Sequence, residues 1–174
     1  MKTLTVLGST GSIGTNTLDI VRRNRQQYQL YALAAGRNVD VLAEQIVEFH
    51  PKLAVMAKED DLRRLLDKLI DLGHPRELWP ILLAGSAAFV QVATAPEVNI
   101  VISAMVGIAG LEATYEAVRL RKRVGLANKE VLVAGGKLLM EAVTQSGAEL
   151  LPIDSEHNGP TSACVPAAGK RSRD

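Results

Sequence analysis

The stretch LTVLGSTGSIGTNTLDIV, Leu4 to Val21, decides how the chain is read. An apolar run meets Gly8, Gly11 and Gly14 and then gives way to a helical pattern. The spacing is G-x-x-G-x-x-G, which departs from the common dinucleotide fingerprint G-x-G-x-x-G. The context is nevertheless the one that fingerprint requires, a strand before and a helix after. Glycine permits positive φ and a close backbone approach to a pyrophosphate, which then rests on the helix N-terminus. Thr10, Ser12 and the backbone amides through Ile13 would supply donors. The alternative is a tight strand-to-helix turn that holds no ligand.

Outward from this loop, short apolar runs alternate with longer amphipathic ones. Strands are predicted at 3–7, 31–35, 53–56, 80–84, 98–103, 123–127 and 149–153, all short and rich in aliphatic residues. Pro80 removes a ladder donor from the fourth, which suits an edge or a strand start. Helices are predicted at 15–31, 39–49, 59–71, 86–94, 108–121 and 130–146. The clearest pattern puts Ile108, Leu111, Tyr115 and Val118 at spacings of three and four. Such alternation implies right-handed crossovers. The fold class is therefore α/β, a doubly wound, mostly parallel Rossmann-like sheet with helices on both faces. Ligands are expected at the carboxyl ends of its strands.

Composition agrees with this class. The chain has 174 residues, 47% of them apolar but only 3% aromatic, so the core should be aliphatic. Scarce aromatics and a net charge of +1 argue against a nucleic-acid or membrane-surface partner. No stretch reads as a membrane span or signal peptide. A single cysteine, Cys164, excludes an intrachain disulfide. The expected compartment is the cytoplasm.

Later motifs carry the chemistry. At the end of the second strand an NAD-binding domain usually places a carboxylate for the ribose hydroxyls. Here Gly36, Arg37 and Asn38 stand there instead. Arg37 can pair with a 2′-phosphate, which favours NADPH, although a solvated surface arginine is the plainer reading. The segment LANKE places Asn128, Lys129 and Glu130 between a strand and a helix, as a cap with a solvated pair or as cofactor and substrate contacts. In LLPIDSEHN, Asp154 and Glu156 would point the same way if the strand continues. Two hard oxygen ligands suit Mg²⁺ or Mn²⁺ rather than zinc; a polar turn is the alternative.

Taken together, GSTGSIG, AGRN, GLANKE and PIDSEHN resemble the 1-deoxy-D-xylulose 5-phosphate reductoisomerase family, in its order and spacing. The resemblance covers residues 1–158, a NADPH-binding domain ending at the first metal-site motif. It implies NADPH contacts at Thr10, Gly11, Ser12, Ile13, Gly36, Arg37, Asn38, Asn128 and Glu130. It also implies substrate contacts at Lys129, Ser155 and Glu156, and a divalent metal, Mn²⁺ or Mg²⁺, at Asp154 and Glu156. Lys129 and Glu156 become the catalytic candidates. The implied reaction rearranges a phosphorylated ketose, 1-deoxy-D-xylulose 5-phosphate, and reduces it to 2-C-methyl-D-erythritol 4-phosphate in isoprenoid biosynthesis. A homodimer is the assembly the family implies.

Residues 159–174 depart from the pattern and are read as a disordered tail, as a truncated or frame-shifted gene would leave. Family members are more than twice this length, so catalysis by this chain alone is not expected. An alternative is a NADPH-binding module without activity. A semialdehyde dehydrogenase would want a nucleophilic cysteine, and Cys164 lies in the tail.

Overall fold

A computed structural model of the chain describes residues 1–153. These form seven strands: β1 (Lys2–Leu7), β2 (Tyr28–Ala35), β3 (Leu53–Met56), β4 (Ile81–Ala84), β5 (Ile100–Ser103), β6 (Arg123–Leu126) and β7 (Leu150–Pro152). Six helices alternate with them: α1 (Ser12–Arg23), α2 (Val39–Phe49), α3 (Glu59–Asp71), α4 (Ser86–Thr94), α5 (Leu111–Arg119) and α6 (Lys129–Ser146). The strands make one sheet in the order β4-β3-β2-β1-β5-β6-β7, and every pair is parallel. The expected doubly wound α/β architecture is therefore present. No helix among the described residues is long and apolar enough to cross a membrane.

Alternation along the strands supplies two aliphatic layers. Leu4 and Val6 of β1 pack with Leu18 and Val21 of α1, Leu42 and Ile46 of α2, and Leu65 and Leu69 of α3. Leu7 faces the other way, into a layer with Val92 of α4, Val118 of α5 and Leu139 of α6. Period-two side-chain alternation sends successive β1 residues to opposite layers, so both faces need helical cover. Thr5 follows this rule as a buried polar residue, and its hydroxyl donates to Val92 O at 2.8 Å. Lys122 is also buried, with Nζ donating to Ala95 O and Val98 O, both at 2.6 Å. Burial pushes its pKa below the ordinary lysine value.

Pro80 precedes β4 at one edge of the sheet, as its missing donor requires. Three elements differ from expectation, β2 among them because it begins at Tyr28 rather than at 31. The first helix begins at Ser12 and ends at Arg23 rather than running over 15–31. Asn24 closes it, with Nδ2 donating to Ile20 O at 2.8 Å, and a turn over 24–27 reverses the chain. The polar residues past Arg23 are compatible with helix, but Tyr28 to Leu30 gain more by pairing with Lys2 to Leu4. Tertiary pairing overrides local propensity. The fifth helix begins at Leu111, after a 3₁₀ turn over Gly107–Gly110, so Ile108 is exposed rather than part of the apolar face. Leu111, Tyr115 and Val118 do pack on the core, joined by the buried Ala113 and Ala117.

Asp154, Ser155, Glu156 and the tail over 159–174 lie outside the described residues.

Candidate functional site

The chain moves outward from β1 to β2, β3 and β4, then returns through α4 to place β5 against the other side of β1. That reversal opens a crevice at the carboxyl ends of β1 and β5, the usual ligand position in such sheets. A cleft of about 630 Å³ occupies it. Its walls come from four loops: Gly8, Thr10 and Gly11 after β1, Gly36 to Asn38 after β2, Ala57 and Lys58 after β3, and Ala104 to Val106 after β5.

The three glycines of the first loop have different physical reasons. Gly8 has φ +86°, and a Cβ there would stand 2.4 Å from Ala104 O. The β1 and β5 loops thus touch backbone to backbone. Gly14 is buried in α1, and its Cβ would lie 2.3 Å from Gly8 O, so the helix packs directly on the loop that feeds it. Gly11 is the N-cap of α1; a Cβ would meet only Gly8 O at 3.5 Å, an ordinary contact. With no side chain at the cap, none of the first-turn amides of α1 donates to a side-chain cap. Such amides and the helix dipole favour an anion. The loop is held firmly: Gly8 N and Ser9 N both donate to Ala34 O, at 2.8 and 2.9 Å, and Gln45 Nε2 donates to Ser9 O at 2.9 Å.

The cleft brings together Thr10, Gly11, Gly36, Arg37 and Asn38. Ser12 and Ile13 sit in the adjoining first turn of α1, where the Ile13 side chain packs on the core and leaves its amide as the available group. Asn38 has a second task, since its Oδ1 accepts from Val41 N at 3.3 Å and caps α2. Arg37 is exposed at the rim. Among the described residues, the cleft lining holds two cations, Arg37 and Lys58, and no carboxylate. Sequence reading passed over Lys58. The signal was its place just after the third strand, at the same sheet edge as Arg37.

Asn128 and Glu130 stand apart from the lining. Asn128 is buried at the N-cap of α6, where Oδ1 accepts from Glu130 N at 2.8 Å. Its Nδ2 donates to the carbonyls of Met105 and Gly107, pinning the loop after β5. All its side-chain polar groups are engaged, so it reaches the cleft through the loop it holds. The Ser103 and Thr114 hydroxyls, 2.7 Å apart, secure the other side of this loop. Glu130 is exposed, near Gly107, and Lys129 is the first residue of α6.

With this geometry, comparison with known proteins is decisive. The family model for 1-deoxy-D-xylulose 5-phosphate reductoisomerase matches residues 4–136. The chain belongs to that family. The reductoisomerase of Solibacter usitatus (strain Ellin6076) is 65% identical over 159 residues, which are 91% of this chain and 40% of that protein. A solved DOX-P reductoisomerase in complex with NADPH, fosmidomycin and magnesium superposes with a TM-score of 0.81 at 40% identity. It covers 91% of this chain and 38% of that one. The Zymomonas mobilis reductoisomerase in complex with NADPH gives 0.80 at 43% identity, covering 90% and 40% of the two chains. The chain thus spans about two fifths of the length of the family members it matches.

Proposed function

We propose that the chain carries the cofactor-binding portion of a reductoisomerase that converts 1-deoxy-D-xylulose 5-phosphate to 2-C-methyl-D-erythritol 4-phosphate in isoprenoid biosynthesis. The reductant is NADPH and the metal Mg²⁺ or Mn²⁺. The observation that carries this reading is the cleft at the sheet reversal, where an uncapped helix start and two cations face one space. Its size lies within the range of ordinary ligand pockets. The relatives solved with NADPH point to the same occupant.

When bound, NADPH supplies the hydride and the metal polarises the substrate oxygens. Backbone amides of Ser12 and Ile13, with the Thr10 and Ser12 hydroxyls, hold the pyrophosphate, and Gly11, whose own amide donates to Gly8 O, leaves room for its approach. Gly36 allows close approach at the end of β2, where Arg37 binds the 2′-phosphate and Asn38 orders the turn. Asn128 positions the 105–107 loop against the cofactor, and Glu130 contacts it beside Gly107. Lys129 and Glu156 are the proposed catalytic residues, Lys129 and Ser155 holding substrate oxygens. Asp154 and Glu156 hold the metal, with Glu156 also approaching substrate. The strand β7 ends at the carboxyl edge of the sheet, beside β6. The chain therefore leaves Ile153 on the cleft's side of the molecule.

Taken alone, the 174 residues are read as a NADPH-binding module with negligible turnover. They span about two fifths of the relatives' length. The cytoplasm is the compartment, and a homodimer the assembly, that this reading carries for the whole enzyme.

Fluorescence titration of the chain with NADPH and NADH tests the reading. Saturable binding that favours NADPH supports it. Binding of neither nucleotide by a chain that melts cooperatively overturns it, as does turnover by this chain at an ordinary enzyme's rate for the module assignment.

A further inference from the structure

We infer that Lys58 is a second determinant of cofactor choice, clamping the 2′-phosphate of NADPH against Arg37; this rests on the cofactor reading above. The argument begins with strand register. β2 and β3 pair in parallel, with Ala35 opposite Met56 at the last rung. Ala57 N donates to Ala35 O at 3.1 Å, which carries the pairing one bond past the strand end. Two residues beyond that rung stand Arg37 after β2 and Lys58 after β3. Neighbouring strands are about 4.8 Å apart, so the two residues leave the sheet edge as near neighbours. Both line the same cleft and both are exposed.

Two cations side by side repel each other unless an anion lies between them. Glu59, Asp60 and Asp61 follow Lys58 in the first turn of α3, but among the described residues none of them forms a salt bridge with it, and Asp61 is held by Arg64 at 3.0 Å. The Lys58 side chain makes no cap hydrogen bond to α3. It is therefore available to a ligand. A phosphate dianion matches this pair, with the planar Arg37 fork giving direction and the flexible Lys58 ammonium giving charge. NADH, with hydroxyls in place of the phosphate, gains little from it.

The test measures dissociation constants of the full chain for NADPH and NADH in Lys58→Ala, Lys58→Arg and Arg37→Ala. Lys58 is exposed, and its backbone carbonyl keeps the bond from Leu62 N in every variant, so folding should survive. A thermal melt checks this. Lys58→Ala should weaken NADPH about tenfold, as expected for one charge-assisted contact, while NADH stays within about twofold. Lys58→Arg should retain the preference. Raised salt should narrow the gap between wild type and Lys58→Ala for NADPH. Unchanged NADPH affinity in Lys58→Ala, or equal losses for both nucleotides, overturns the inference. If Arg37→Ala removes the preference while Lys58→Ala does not, only the role of Lys58 falls. If the wild-type chain shows no preference, the cofactor reading falls and takes this inference with it.

Discussion

Two helix starts meet at the carboxyl edge of the sheet, and they are built in opposite ways. At α1 the cap is Gly11, which has no side chain and lines the cleft. At α6 the cap is Asn128, whose side chain bonds Glu130 N and two carbonyls of the loop after β5. Both follow a strand in the same parallel sheet, so topology alone treats them alike. The difference lies in one residue at one position. A glycine leaves the helix dipole for a ligand, whereas an asparagine uses it to hold the protein's own backbone. The α1 start thus keeps its amides open beside the cleft, whereas the α6 start spends its cap on loop rigidity.

Adding a methyl group to the first start separates its glycines. Gly14→Ala should have the largest effect, because its Cβ would stand 2.3 Å from Gly8 O and 2.6 Å from the Ser9 backbone. Neither atom belongs to a flexible side chain, so a loss above about 3 kcal/mol in urea unfolding is expected. A loss within about 1 kcal/mol would mean that the helix does not need its close seat on the loop.

At the second start, Asn128→Ala should cost about 2 kcal/mol by the same measurement, from a lost cap and two unpaired carbonyls. Hydrogen exchange should quicken in the 105–110 loop. A variant as stable and as protected as the parent would break the contrast between open and closed starts.

Gly11→Ala sharpens the contrast at lower cost. The new methyl meets Gly8 O at 3.5 Å and nothing closer, so stability should change by less than about 1 kcal/mol. NADPH affinity should nevertheless fall about tenfold, since the methyl occupies the approach of a pyrophosphate to the amides. Undiminished affinity would move the phosphate elsewhere.

The far end of α1 gives the smallest effect. Arg22 there pairs with Asp19 and with Glu48, and Nη2 reaches Glu48 Oε2 at 2.7 Å. The hydrogen bond from Arg22 holds Glu48 below the ordinary carboxylate range. A depressed carboxylate contributes stability above its unfolded value and loses it as pH falls through the folded one. The melting-temperature advantage of wild type over Glu48→Gln should thus be small near neutral pH, begin to fall as pH drops below the ordinary glutamate value, and vanish below the depressed folded-state one. An advantage that grows with acid would reverse the assignment.

How much of this was legible in the sequence varies by element. The strand order was not, because a parallel sheet is assembled from segments that are silent about their neighbours. The glycine loop was legible as a whole, but the division of labour among Gly8, Gly11 and Gly14 was not. It depends on Ala104 O and on Gly8 O, which only folding brings within reach. Ile108 was misplaced because its spacing matched a helix that in fact starts three residues later. Asn128 was legible as a cap from its position, whereas its hold on Met105 and Gly107 spans more than twenty residues. Lys58 escaped notice because no local pattern links it to Arg37.

By itself, the sequence determined the class of fold, the glycine-rich strand-to-helix loop and the family, since each rests on periodicity or on motifs short enough to be read along one strand and its turn. Tertiary structure decided where the first helix stops, which glycines abut backbone and which stands open, and which cations share the cleft. These depend on contacts between segments far apart in the chain, and strand pairing and close packing set such contacts rather than local preference.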